Sequence, residues 1–198
     1  MLDIDLAFPH SYDVQEVGEL PGTGKFAAPL IFFPEPKTRP EHDGLWLKVK
    51  MAGGAAWIGV FAYGYQSPPA LTRVISSPDP DRLCVVAKGS AYFVRAGEPK
   101  DWIQIPVFPV IDVRPLPEDN LLVFSDFVKL AAFGSRGVAW QSPRVCWDEL
   151  KITGVNRETI EGTGYDPVNS RESRFVVEVK TGKSLLPAPT SSEGKPLW

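Results

Sequence analysis

Glycine and proline, more than any other residues, constrain what this chain can fold into. Its 198 residues include 20 prolines and 17 glycines, and these are spread along the whole length. Proline lacks a backbone N–H and glycine is costly inside a helix, so both interrupt helices. Helices in such a chain can seldom run long, and the residues between the breaks must form short elements.

The segments between these breaks have the pattern of β-strands. They alternate in polarity or are rich in β-branched and aromatic residues, as strands are. The predicted strands are 45–51, 57–65, 83–87, 91–94, 121–125 and 174–179. The segment 57–65 carries apolar residues on both faces, which predicts a central strand. The predicted fold class is therefore all-β and mostly antiparallel, with few or no long helices.

A weak repeat with a spacing of 39 residues supports this fold class. Residues 74–94 align with 113–133, and a third copy that matches in pattern only begins at 152. A unit of this length with several short strands is typical of a β-propeller blade. The Gly-His and Trp-Asp signatures of WD-type blades are missing from matching positions, so no family is assigned. Blades run roughly 40–50 residues, so fewer than five fit in 198 residues, and both a partial β-propeller-like fold and a twisted sandwich stay open.

Two segments also have features of helices. The segment 125–134 begins with Ser125, a good N-cap, and ends with Gly134. The repeat alignment favours a turn followed by a strand there. The segment 11–20 predicts a helix of about two turns, capped by Ser11 or Asp13.

The predicted domain organisation is one β-rich domain, 1–185, followed by a tail, 186–198. The tail is rich in proline and serine, and its last residue, Trp198, is a candidate anchor on this protein or a partner. The polar segment 166–173 reads as the tip of a long hairpin.

Charge and targeting features narrow the compartment and the partners. The net charge is −3, which disfavours a nucleic-acid partner because no net positive field attracts phosphates. The N-terminus lacks a signal-peptide pattern, and glycine and proline interrupt the longest uncharged run, 51–70. We therefore expect a cytoplasmic protein that does not span a membrane. Cys84 and Cys146 have apolar neighbours and are expected to be isolated buried thiols.

Motifs for catalysis are weak throughout the sequence. The segment 21–26 contains Gly-x-Gly-Lys but lacks the rest of a phosphate-binding loop. The two histidines, His10 and His42, lie in turn-like surroundings, and no Gly-x-Ser-x-Gly motif presents a serine. No spacing indicates a metal site. We predict no catalytic residue, no metal and no cofactor.

Aromatic residues suggest a binding surface instead. Six tryptophans and five tyrosines can pack in sheets, or can stack on a sugar, a planar ligand or a peptide. Arg95 and Lys100 flank Trp102 as polar partners. The candidate ligand-binding residues are Trp102, Arg95, Lys100, Tyr63, Tyr65 and His42.

The sequence therefore predicts a non-enzymatic β-rich protein that binds a protein partner or a small ligand through loops and exposed aromatics. An alternative is a small hydrolase or isomerase that uses an aspartate or glutamate with His42, which requires His42 to face a cleft. A third reading is a homo-oligomer assembled through strand edges and the tail.

Overall fold

The computed structural model describes residues 2–18, 26–35, 43–65, 67–167 and 171–187. The chain divides into two compact units, Met1–Val110 and Ile111–Trp198. Each unit contains two β-sheets and its own apolar core. The predicted single domain over 1–185 and the tail after it stay predictions, and most of that tail, 188–198, lies outside the described residues.

The first unit contains nine strands in its described part. The strands are β1 Asp3–Asp5, β2 Tyr12–Glu16, β3 Leu30–Phe33, β4 Gly44–Met51, β5 Ala56–Ala62, β6 Arg73–Ser76, β7 Arg82–Ala87, β8 Ser90–Arg95 and β9 Trp102–Gln104. They form two sheets, with the orders β2-β4-β5-β3 and β1-β6-β7-β8-β9.

The second unit contains seven strands in its described part and one 3-10 helix, Pro117–Asp119. Its sheets have the orders β10-β11-β12-β13 and β14-β15-β16. The strands are β10 Asp112–Leu116, β11 Leu121–Ser125, β12 Leu130–Gly134, β13 Gly137–Gln141, β14 Asp148–Val155, β15 Thr159–Asp166 and β16 Arg171–Glu178.

The predicted fold class is confirmed. All described strand pairs are antiparallel except β1 with β6 and β3 with β5. The sheet β10-β11-β12-β13 pairs consecutive strands up and down, as a propeller blade does. The described strands thus form blade-like sheets, in agreement with the partial β-propeller-like prediction.

The 39-residue spacing recurs in the strand positions. β6 begins at Arg73 and β10 begins 39 residues later, at Asp112; β7 and β11 begin at Arg82 and Leu121 with the same spacing. The hairpins β7–β8 and β11–β12 are therefore equivalent in register. The segment 125–134 ends in strand β12, as the repeat alignment predicted.

Period-two alternation places the core of the first unit. In β4, three buried side chains, Leu45, Leu47 and Val49, alternate with more exposed ones, because successive residues of a strand point to opposite faces. β5 lies between β4 and β3 and is buried on both faces, which confirms the predicted central strand. Trp57 on β5 donates from Nε1 to the carbonyl oxygen of Ala96 at 2.8 Å, a bond that joins the two sheets.

The core of the second unit has a matching bond between its sheets. Trp140 on β13 donates from Nε1 to the carbonyl oxygen of Val179 at 2.7 Å. On β15, Gly162 leaves room for the ring of Phe175, since a Cβ there would lie 2.4 Å from that ring. In each unit, a buried tryptophan thus links the two sheets, and its N–H donates to a backbone carbonyl oxygen.

The predicted helix over 11–20 is wrong. Residues 12–16 form β2, which pairs antiparallel with β4. Tyr12 is buried on this strand, and its hydroxyl donates to the carbonyl oxygen of Arg82 at 3.0 Å. Tertiary pairing therefore overrides the local capping pattern. The predicted strand 57–65 ends earlier than expected, at Ala62.

Candidate functional site

The structure separates the predicted binding residues into two groups at opposite ends of one hairpin. β7 and β8 pair Ala87 with Ser90 at the turn and Arg82 with Arg95 at the open end. Five residue steps at roughly 3.3 Å place the two ends about 17 Å apart. Arg95, Lys100 and Trp102 lie at the open end, whereas the two tyrosines lie at the turn.

Arginines and aspartates neutralise each other at the open end. Asp101 accepts from Arg82 Nη2 at 2.6 Å and from Arg95 Nε at 2.8 Å. Asp79 adds a second carboxylate, 3.5 Å from Arg82 Nε. The hydrogen bonds from Arg82 and then Arg95 hold the pKa of Asp101 below its usual value. An anionic ligand at these arginines would have to displace a carboxylate, so the cluster is suited to holding the hairpin together.

Trp102 packs largely into the core. Its ring lies 5.7 Å from the ring of Phe33 in a T-shaped contact and 6.1 Å from the ring of Tyr92. Lys100 is exposed in the turn before it. The packing of Trp102 favours a structural role, and binding by Trp102, Arg95 or Lys100 stays a prediction.

His42 and the segment 21–25 of the glycine-rich motif lie outside the described residues, so the histidine-based alternative stays a prediction. His10 is described, and its Nδ1 lies 2.9 Å from the carbonyl oxygen of Phe8. In the described ranges, no group of three histidine, cysteine or acidic side chains converges as metal ligands would.

Both cysteines are free and buried, as predicted. Burial raises the pKa of the Cys146 thiol to about 12, and it also raises that of Cys84. Both thiols are therefore protonated at neutral pH, whereas a thiol nucleophile must ionise.

The turn of the first hairpin is a two-residue turn with an unusual backbone. Lys88 and Gly89 have φ values of 44° and 80°, the signs that a type I′ turn requires. Positive φ is uncommon for a residue with a side chain, so the surrounding structure must hold Lys88 in place.

Hydrogen bonds with three neighbouring segments hold this turn. Tyr65 N donates to the Lys88 carbonyl oxygen at 2.6 Å, and Val110 N donates to the Gly89 carbonyl oxygen at 2.8 Å. From the third segment, Thr72 Oγ1 accepts from Lys88 N at 3.1 Å. The turn is thus fixed on several sides by tertiary contacts.

Side chains from these segments form a partly exposed aromatic surface. Lys88 Nζ lies 4.3 Å from the centre of the Tyr63 ring, within cation–π range. The rings of Tyr65 and Phe108 meet edge to face at 6.4 Å. Phe108 is 57% exposed, and the other three side chains are half-buried. We call Tyr63, Tyr65, Lys88 and Phe108 the tip surface.

Sequence reasoning identified the two tyrosines but missed Lys88 and Phe108. Two signals could have found them. A Lys-Gly pair between two predicted strands indicates a tight hairpin turn, and an aromatic residue in the proline-rich segment 106–109 indicates an exposed loop.

Two surface grooves lie away from the tip surface. One, of about 360 Å³, is lined by β2 and β4 and includes Asp13, Lys48 and Lys50. The other, of about 280 Å³, lies between β10 and β14 and includes Arg114 and Val155. None of the predicted binding residues that the structure describes lines either groove. Within the described ranges, no helix is long and apolar enough to cross a membrane.

No protein-family model matches the chain, and no curated protein matches it. Among solved structures, the chain is similar to the N-terminal domain of Nup159, with 12% identity and a TM-score of 0.39 over 97% of this chain. It is also similar to a chain of an S. cerevisiae complex of Dbp5 bound to Nup159, Gle1, IP6 and ADP. That match has 12% identity and a TM-score of 0.43, and it covers 100% of this chain. This chain spans 55% of each of those chains. No activity or partner is carried over from them.

Proposed function

We propose that this protein is a non-enzymatic binding protein and that it holds a protein partner on the tip surface. The observation that carries this proposal is the exposed ring of Phe108, which meets the Tyr65 ring next to a hairpin turn that neighbouring segments hold in place. Aromatic residues dominate the binding energy of many protein interfaces.

The rigidity of the turn supports the same proposal. A preformed surface loses little conformational entropy when a partner binds, so more of its contact energy appears as affinity. Gly64 allows close packing beside the turn, because a Cβ at that position would lie only 2.8 Å from the backbone nitrogen of Ser90. Segment 63–65 can therefore pack directly against the hairpin.

The chemistry of the described residues offers less support for catalysis. The carboxylates at the open end of the hairpin are paired with arginines, and both thiols are buried. The hydrolase or isomerase that uses His42 remains the alternative. The other candidate occupants of the tip surface are a small ligand and a second copy of this chain. We also propose that the protein is cytoplasmic.

Site-specific photocrosslinking tests the proposal. A benzophenone amino acid placed at Phe108 in the full-length protein should crosslink to a discrete partner in cells of the source organism. A matched control carries the probe at Val138, which is 54% exposed on β13 of the other unit. The Phe108 product should disappear when Tyr63 and Tyr65 are both replaced by serine.

The masses of the products separate the outcomes. A product that contains a different protein, from position 108 only, supports the proposal. A product of twice the 21.8 kDa chain mass identifies a second copy instead. Equal products from both positions, or none from position 108, would overturn the proposal.

A further inference from the structure

We propose that the partner segment bound by the tip surface is acidic, with a carboxylate next to an apolar or aromatic side chain. This inference rests on the proposed function and specifies the chemistry of the partner at the same site. Two observations carry it: the positive charge of Lys88 at the tip, and the aromatic rings that lie beside it.

The tip is positively charged in a protein that is negative overall. Lys88 is the single charged residue in the described segments that meet there, 63–65, 67–72, 88–90 and 105–110. The whole chain has a net charge of −3. A partner carboxylate that approaches the tip therefore meets the cation of Lys88. These described segments contain no carboxylate that would repel it.

Lys88 differs in this respect from the arginines of the same unit. Arg73 lies 2.8 Å from Asp3 and 2.9 Å from Asp5, and the arginines at the open end are paired with aspartates. Lys88 Nζ instead lies over the ring of Tyr63. An ammonium group has three N–H donors, so it can face the ring and still donate to a carboxylate.

The rings determine the rest of the partner's chemistry. Phe108 and Tyr65 lie beside the lysine, since Tyr65 N donates to the Lys88 carbonyl oxygen. Apolar and aromatic side chains pack well on such rings. A polyanion such as RNA is a poorer match because a single lysine neutralises one charge, whereas such ligands require many.

A pair of peptide probes tests the inference in the full-length protein. The first is acetyl-Glu-Asp-Phe-Glu-Leu-Asp-amide, and the second replaces each acid by its amide, glutamine or asparagine. Amide shifts of Gly64, Tyr65 and Gly89 are followed by NMR during each titration. The acidic peptide should shift these signals and bind about tenfold more tightly than the neutral one, a difference typical of a charge-assisted contact.

Variants at two lysines, Lys88 and a control position, test whether the charge of Lys88 matters. Lys88→Gln should reduce the affinity for the acidic peptide to about that of the neutral one. Lys180→Gln is the matched control, because Lys180 is an exposed lysine of the other unit, and it should leave binding unchanged. Lys88→Asn serves as a second variant that keeps the turn, since asparagine adopts positive φ readily.

The outcomes distinguish this inference from the proposed function. Equal binding of both peptides at the tip, or equal effects of the two lysine variants, would overturn the acidic partner while a Phe108 crosslink still supports binding there. If neither peptide shifts the tip signals but the crosslink forms, the acidic inference fails alone. If the crosslink is also absent, both fail.

Discussion

Two hairpins in this protein have strands at equivalent positions of the 39-residue repeat, and they differ at their turns. β7–β8 in the first unit and β11–β12 in the second begin 39 residues apart. The first turn has two residues, Lys88 and Gly89, both with positive φ. In the second, Asp126 Oδ1 accepts from Val128 N at 2.8 Å and from Lys129 N at 2.7 Å. The repeat thus determines the strands, and the turns are free to diverge.

Neighbouring segments hold both turns: in the second, Leu150 N donates to the Phe127 carbonyl oxygen at 3.1 Å and Val145 N donates to the Val128 carbonyl oxygen at 2.9 Å. The second turn also has bonds from its own Asp126 side chain. An Asx turn satisfies its backbone donors locally. The first turn lacks such a side chain and depends on Tyr65, Thr72 and Val110. Those three neighbours come from the segments that surround the tip surface. The segments that hold the first turn also carry Tyr63, Tyr65 and Phe108, which form the tip surface with Lys88.

The largest expected effect comes from Gly89, where backbone strain and crowding combine. Gly89→Ala should lower the free energy of unfolding by about 2–3 kcal/mol, because φ is positive and the new Cβ would lie 2.9 Å from Pro109 Cβ. Gly54→Ala is the control, since Gly54 has φ +86° and open space around it, and it should cost about 1 kcal/mol. Urea unfolding measures both, and equal losses would contradict the crowding at Gly89.

At the second turn, the carboxylate of Asp126 adds bonds within the turn to the support that neighbouring segments give. Asp126→Ala should destabilise the protein by about 1 kcal/mol, because two backbone N–H groups lose their acceptor. Asp126→Asn keeps an acceptor oxygen and should cost less. Thermal unfolding of both variants checks this, and an alanine variant as stable as the wild type would show that the side chain does not hold the turn.

A smaller effect of opposite sign is expected at Lys88. Lys88→Asn should stabilise the protein by about 0.5 kcal/mol, because asparagine followed by glycine is the preferred pair in a type I′ turn. The same variant should bind the acidic peptide more weakly. A stabilised variant with unchanged binding would break the proposed link between the tip lysine and the partner.

The smallest effect is expected at the open end of the first hairpin. In the second hairpin, Leu121 and Gly134 occupy the positions that Arg82 and Arg95 occupy in the first, so the charge cluster belongs to the first hairpin alone. Hydrogen bonds from Arg82 and Arg95 lower the pKa of Asp101 in the folded state. Its contribution is therefore present above the usual aspartate pKa of about 4 and is lost as pH falls through the lowered value.

Asp101→Asn tests that contribution. The variant should be slightly less stable than the wild type at pH 7, and the difference should shrink as the pH falls below about 4. Urea unfolding over a pH series gives the two curves. A stability difference that is constant with pH would show that the carboxylate's charge does not matter there.

Most of the strands, including the antiparallel hairpins, could be predicted from the sequence because period-two alternation is a local property. β4, β11 and the central β5 follow directly from it. β2 could not be predicted, since Ser11 and Asp13 resemble a helix start and only pairing with β4 makes the segment a strand. Half of the tip surface, Tyr63 and Tyr65, was identified as aromatic, but its lysine and phenylalanine were not.

The sequence by itself determined the all-β class, the 39-residue spacing and the burial of both cysteines, because alternation and local apolar context encode them. Only the tertiary structure decided which aromatic side chains pack inside and which remain exposed. Trp102 and Phe108 are both aromatic residues close to proline, yet one packs against Phe33 and the other is 57% exposed. That outcome depends on contacts between segments far apart in the chain, which no local pattern specifies.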